Sequence, residues 1–457
     1  VKLCILGGGG FRTPFVWQAL LRDTGRPRVD RVSLYDTDAG RLQVMVRILR
    51  QLAAEFPDAP EVAATTDLDT ALTGSDFIFA AIRVGGLHGR QIDEHVALGL
   101  GVIGQETTGP GGLAYAIRTL PVMIDIARRT RRLAPEAYFL NFTNPAGIIT
   151  EALQAELGDR ILGICDTPSE LGRRVAGLLG HDHQRLQLDY VGLNHLGWMR
   201  RILLDGRDVL PDLLADDELL ARLEETTIFG ADWLRSLGMI PNEYLHYYYD
   251  NRDAVARISA ARTTRGDFLA ATQTAFYDQA AHTDDVAQLW RQAVEQREAS
   301  YMAEAKGGVQ GAPAAHSQGP EDDRTADPSQ LGYAGVALAV MRAISRNERA
   351  AAILNVRNRG TVQGLPYDAV VEVPTVIDAN GVHPLTVDPP GLAELGLMQQ
   401  VKAVEQRIIA AVRAGSRSAA VTAFALHPLV DSRAVAGRLV DAYVAQIPEV
   451  AAALPNS

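Results

Sequence analysis

Cys165, His195 and Tyr244 head the residues of this chain that could do chemistry. A thiolate and an imidazole are both transition-metal ligands. A tyrosine serves as a base where a neighbouring cation lowers its pKa. Each also has an ordinary use, the cysteine as a small apolar side chain, the histidine as a structural group and the tyrosine as packing. Tyr247, Tyr248 and Tyr249 rival Tyr244, and the residues alone leave that choice open. A second kind of chemistry belongs to the backbone at Gly7-Gly8-Gly9-Gly10, between an apolar run and a helical pattern. Such a turn lets N–H groups approach a pyrophosphate at a helix N-terminus. Asp36 ends the next apolar run, where a carboxylate binds a ribose 2′-hydroxyl, so the pair points to NAD rather than NADP. The usual third glycine is replaced by Arg12, and a glycine turn in an unrelated α/β protein is the bland alternative. Two further groups follow strand patterns. Arg83–Gly112 mixes glycines with Arg83, Arg90, Asp93, Glu94 and Glu106, and Asn141 and Asn144 lie in NFTNP. Ligands bind at such strand ends in open α/β sheets, although Asn144 before Pro145 could simply close an Asx turn.

The elements that must position these groups read as an α/β fold. Val1–Leu6, Arg31–Tyr35, Asp76–Ile82, Ala137–Phe142 and Arg160–Cys165 are strand patterns alternating with helical ones. That alternation predicts a Rossmann-like, doubly wound parallel sheet over residues 1–165. Arg83–Gly112 reads as a long glycine-rich loop before a helix starting near Ala114. Gln187–Gly192, Met199–Leu204 and Ala369–Val376 read as further strands in a C-terminal α+β, mainly helical domain, 166–457. The Gly-, Pro- and charge-rich stretch 306–331 reads as a loop.

Composition narrows the class. The 457 residues are enough for about two or three domain-sized units. A net charge of −11 argues against a general nucleic-acid binder. Two cysteines exclude a disulfide scaffold and fit a reducing compartment. No apolar run reaches the roughly 18–20 residues of a membrane span. VKLCILGGGG lacks the basic and apolar regions of a signal peptide, so a cytoplasmic location is expected.

Taken together, the blocks GGGGFRTP, GGLHGRQIDE, GQETTGPGG, NFTNPAGIITEA, RILGIC, GLNHLGW, IPNEYLHYY and LPYDAVVEVP resemble glycoside hydrolase family 4. They lie in order over nearly the whole chain. Within the family the GQETTGPGG and RVGG segments look most like the 6-phospho-β-glucosidase branch. The resemblance implies an NAD- and metal-dependent glycosidase, outside the usual two-carboxylate mechanism. In that chemistry NAD⁺ takes hydride from sugar C3, a base removes the acidified C2 proton, and the aglycone leaves C1. Water then adds and the hydride returns. A divalent metal, usually Mn²⁺, chelates the sugar hydroxyls.

By the same resemblance Cys165 and His195 match the metal ligands, Tyr244 the C2 base and Glu106 a residue that raises its basicity. Arg90, Asn144 and Arg265 match contacts to the phosphorylated sugar, with Arg262 a close rival for Arg265. Gly7, Gly8, Gly9, Gly10, Asp36, Arg83 and Asn141 are expected to face NAD. The implied partner is a small phosphorylated disaccharide or glucoside, with neither nucleic acid nor membrane, and a homodimer or homotetramer is expected. One position departs from the branch. Asp166 follows Cys165 where many β-acting relatives carry Asn, and in α-acting relatives an Asp there donates the leaving-group proton. A 6-phospho-α-glucosidase of the same family is therefore the first alternative. A lactate/malate-type dehydrogenase, or a silent NAD-binding protein, would share the N-terminal signals.

Overall fold

The computed structural model describes residues 1–299 and 332–456, with side chains through 297 in the first span. The stretch 306–331 therefore lies outside the described residues. Among those described, thirteen strands join one sheet. They are β1 (Lys2–Leu6), β2 (Arg31–Tyr35), β3 (Glu61–Thr65), β4 (Phe77–Ala80), β5 (Tyr138–Asn141), β6 (Ile161–Gly163), β7 (Leu186–Leu193), β8 (Leu196–Leu204), β9 (Arg207–Asp208), β10 (Ile240–Pro241), β11 (Ala350–Arg357), β12 (Val370–Asp378) and β13 (Gly381–Pro384).

The order β3-β2-β1-β4-β5-β6 is parallel throughout. This is the strand order of dinucleotide-binding folds, and it agrees with the Rossmann-like reading. Beyond β6 the sheet continues through β11, β12, β7, β8 and β10 with every pairing antiparallel. Strand direction thus changes near residue 165 without a break in the sheet.

Alternation along each strand feeds two cores. Leu3 and Ile5 of β1, with Phe77 and Phe79 of β4, pack on one face beneath Trp17, Leu20 and the helix Gly332–Arg346. Cys4, Leu6, Ile78 and Ala80 pack on the other beneath the helix Pro110–Leu133. Cys4 is wholly buried, and that burial raises its thiol to about 12. The C-terminal helices Leu392–Ala414, Arg417–Leu426 and Arg433–Gln446 return to this second face, bringing Ile408, Phe424 and Tyr443 onto Ile117 and Met123.

Three sequence expectations change. Residues 86–99 of the supposed glycine-rich loop form the helix Gly86–Gly99. Its glycines disguise it, yet Gly89 has a packing reason: a Cβ there would sit 3.2 Å from the Arg118 guanidinium. The next helix begins at Pro110, before Ala114. β3 and β11 were not anticipated. β3 is a short edge strand with little burial, and the alanines opening β11 do not read as strand until it lies between β6 and β12.

Candidate active site

The chain leaves β1, β4, β5 and β6 at the same edge of the parallel sheet. β1 and β4 are neighbours, and the strand order reverses between them, which opens a crevice at that edge. After β1 the turn closes tightly. Gly7 has φ +83°, and the Gly7 and Gly8 N–H groups donate to Tyr35 O at 2.9 and 2.8 Å. Asp36 accepts from Gly9 N–H at 3.0 Å. Side chains would not fit, since a Cβ on Gly8 would meet Leu34 Cβ at 2.8 Å and one on Gly9 the Asp36 carboxylate at 2.8 Å. The Arg12 guanidinium lies 4.1 Å above the Phe142 ring.

Arg83 leaves the end of β4 and meets Glu106 at 2.6 Å. Arg90, from the helix Gly86–Gly99, bonds Glu106 at 2.7 Å and Glu94 at 2.8 Å. Burial alone would raise Glu106, but Arg83, Arg90 and Arg297 outweigh it and hold the carboxyl well below its usual range. Arg12, Arg265 and Arg90 also act on Arg297. Burial and their repulsion lower it to about 9, while Glu106 opposes them. Positive charge is therefore in excess around Glu106, and the buried Arg83 Nη1 has no hydrogen-bond partner among the described residues. Such a cluster suits a dianion. Arg265 is half-buried beside it and donates to Arg297 O at 2.7 Å, whereas Arg262 is exposed. Asp93, in contrast, turns inward onto Arg118.

Asn141 is buried at the end of β5. Its amide donates to Thr143 O, Ala146 O and Thr150 Oγ1 and accepts from Thr143 N–H, so it braces the turn after β5. Asn144 precedes a cis Pro145 and accepts from Ala146 N–H at 3.3 Å.

His195 sits in the two-residue turn joining β7 and β8, with φ +63°. That left-handed conformation costs a non-glycine residue on the order of 1–3 kcal/mol. Its Nδ1 lies 3.0 Å from Thr107 Oγ1. Burial lowers its pKa to about 4, against the pull of Glu243 and Glu106, so the ring is neutral at neutral pH. The Tyr244 ring stacks on it at 3.9 Å and 4°. The other tyrosines make different contacts. Tyr247 is in the core, Tyr248 faces His427 at 6.3 Å, and Tyr249 accepts from Trp198 Nε1 at 2.8 Å.

Cys165 follows β6 and is buried. Its thiol is raised well above normal, first by burial and then by the negative charges of Glu372 and Asp166. Glu372 accepts from Asn355 at 2.7 Å and Tyr190 at 3.1 Å and lies against Asn194, the residue before His195. This shared carboxylate draws the Cys165 and His195 segments together. Among the described residues no set of three or more His, Cys, Asp or Glu side chains could hold a metal. Thr107, Arg297 and Glu372 were not singled out in sequence. Thr107 and Glu372 stood inside the quoted GQETTGPGG and LPYDAVVEVP blocks, while nothing around Arg297 signals a site.

Two family models cover this framework. Family 4 glycosyl hydrolase matches residues 2–181, and its C-terminal domain matches residues 190–430. The chain belongs to glycosyl hydrolase family 4. A probable 6-phospho-β-glucosidase of Bacillus subtilis is 28% identical, over 96% of this chain and 95% of its own. The 6-phospho-β-glucosidase of Thermotoga maritima, solved with manganese, NAD⁺ and glucose 6-phosphate, superposes with a TM-score of 0.81. It is 25% identical and covers 98% of this chain and 99% of its own. A 6-phospho-α-glucosidase from gut microorganisms, solved with NAD and Mn²⁺, reaches 0.78 at 28% identity, covering 97% of each chain. Family 4 membership spans both halves of the chain and supersedes the plain dehydrogenase reading. Among the described residues no helix is long and apolar enough to cross a membrane.

Proposed function

We propose that this family 4 enzyme hydrolyses 6-phospho-β-glucosides with NAD and a divalent cation. The observation that carries the reading is the arginine cluster around Glu106, beside the stacked His195 and Tyr244 and at the same sheet edge as the glycine turn. Bare backbone at Gly8 and Gly9, with Asp36 fixed on the turn, fits the close approach of a dinucleotide. NAD, when bound, supplies a hydride acceptor whose action at sugar C3 acidifies the C2–H. An imidazole and a cysteine thiolate are both metal ligands, and a cation such as Mn²⁺ held by them would supply Lewis acidity.

Cys165 and His195 would hold that cation. Tyr244 takes the C2 proton on its phenolic oxygen, next to His195. Glu106 maintains negative charge nearby, despite burial, because its arginines keep it ionised. Arg90, Arg265 and Asn144 hold the sugar phosphate, and Asp166 protonates the leaving oxygen. A thiol that must remain reduced supports a cytoplasmic location.

The test is hydrolysis of paired α- and β-linked nitrophenyl glucosides, each with and without a 6-phosphate, with NAD⁺, Mn²⁺ and reductant. The expected outcome is cleavage of the phosphorylated β-substrate, no net NADH and solvent deuterium at C2 of the product. Cys165→Ser should abolish it. Net NADH formation, or full activity in that variant, overturns the mechanism. Asp166 beside Cys165, together with the α-acting structural neighbour, favours a second reading in which the α-linked substrate is the one cleaved.

A further inference from the structure

The helix Arg265–Ala280 touches both ends of the crevice. Its N-terminus is docked on the helix Gly86–Gly99. Gly266 N–H donates to Glu94 Oε2 at 2.7 Å, and the Asp267 carboxylate lies 2.9 Å from both Gln91 Nε2 and His95 Nε2. Glu94 is also the partner of Arg90. A capping box of Thr264 and Asp267 closes this end, so the helix starts sharply at Arg265.

More than three turns along, roughly 18 Å at 1.5 Å per residue, the Tyr277 hydroxyl donates to Gly9 O. Gly9 is thereby held from two sides, by Asp36 on its N–H and by Tyr277 on its carbonyl. The Tyr277 ring lies 4.8 Å from the Arg41 guanidinium. Arg47 holds the end of the helix, donating to Ala280 O at 2.7 Å. One rigid element therefore spans the distance between the glycine turn and the arginine cluster.

We propose that Tyr277 is a positioning residue that couples cofactor binding at the glycine turn to sugar-phosphate binding at Arg265. The inference rests on the NAD and phosphate assignments made under Proposed function. A dinucleotide that fixes Gly9 and Asp36 also fixes the carbonyl that Tyr277 grips. The helix carries that constraint to Arg265, so the ordering required by the second ligand is already met by the first. Linkage makes the effect reciprocal, and glucose 6-phosphate tightens NAD by the same factor.

Calorimetric titration of the full chain with NAD⁺ and with glucose 6-phosphate, each alone and with the other saturating, measures that factor. In the native protein NAD⁺ should tighten glucose 6-phosphate about 10-fold. In Tyr277→Phe, which keeps the ring, the factor should fall below about 2-fold, with affinity for glucose 6-phosphate alone little changed. A brace that only stabilises the fold would lower the melting temperature and leave the factor intact. A coupling factor in Tyr277→Phe equal to the native one overturns the inference while NAD binding stands. Failure of the native protein to bind NAD⁺ overturns the cofactor reading as well. Hydrogen exchange of the native protein gives a check that needs no variant. NAD⁺ should slow exchange at Gly266–Leu269 as well as at the glycine turn, and protection confined to the turn overturns the coupling.

Discussion

Two arginine–carboxylate groups lie close together in this molecule and do opposite things. Asp93 and Arg118 form one closed pair, both side chains 0% exposed, joined by bonds of 2.7 and 2.6 Å. Charges match one to one, and Arg118 also donates to Val84 O. Burial still wins at Asp93 and raises it to about 7, with Arg118 pulling the other way. Glu106 is 17% exposed and shares several arginines, which together overcome its burial. The first group is balanced and sealed, so it holds structure. The second has cations left over and an open side, so it is built to receive an anion. Stoichiometry and access separate the two, not residue type.

The largest effect should come from breaking the sealed pair. Arg118→Met leaves the Asp93 carboxyl buried without its cation and should lower stability by about 3–5 kcal/mol. Urea denaturation would show it, and a loss under about 1 kcal/mol would mean the pair is not the structural one. Glu106→Gln should behave in the opposite way. The fold should persist with a near-native urea midpoint, while kcat falls about 10²-fold through loss of the charge that supports the base. A Glu106→Gln protein with native kcat would remove Glu106 from the catalytic reading.

A smaller change should separate Arg265 from Arg262. Arg265→Gln should raise KM for the phosphorylated substrate about 30-fold, the equivalent of one charge-assisted contact of about 2 kcal/mol. Arg262→Gln, on an exposed side chain, should stay within about 2-fold of native. Equal effects would undo the distinction drawn from burial.

The smallest effect concerns buried groups that avoid charge altogether. Burial lowers His427 to about 3 from 6.5. The unfolded chain therefore takes up its proton first as pH falls. The contribution of His427 is complete above about pH 6.5 and is lost as pH drops toward 3. His427→Asn should flatten the fall in melting temperature between about pH 6.5 and 4 by a few degrees relative to native protein. A parallel pair of curves would show that His427 is not a source of the acid sensitivity.

Much of the parallel half was legible because its signals are local. β1, β2, β4, β5 and β6 are apolar runs, all but β4 closed by glycine, Asp or Asn, and each emerged within a few residues of its expected span. Three kinds of feature were hidden. The helix Gly86–Gly99 was masked by glycines that serve packing against Arg118. β11 depends on being enclosed between β12 and the distant β6. Asn141 looked like a ligand contact because it ends a strand, yet its amide is spent on its own turn.

By itself the sequence determined the Rossmann-like parallel sheet, the glycine turn with Asp36 and the family to which the blocks belong. These follow from backbone torsions, missing Cβ atoms and short-range periodicity, all carried by adjacent residues. Tertiary structure decided which tyrosine stacks on His195, which arginine joins the Glu106 cluster, and that Glu372 lies between the Cys165 and His195 segments. Those facts depend on the distances and burial that arise when β6, β7, β8 and β12 meet in one sheet, and no local pattern encodes them.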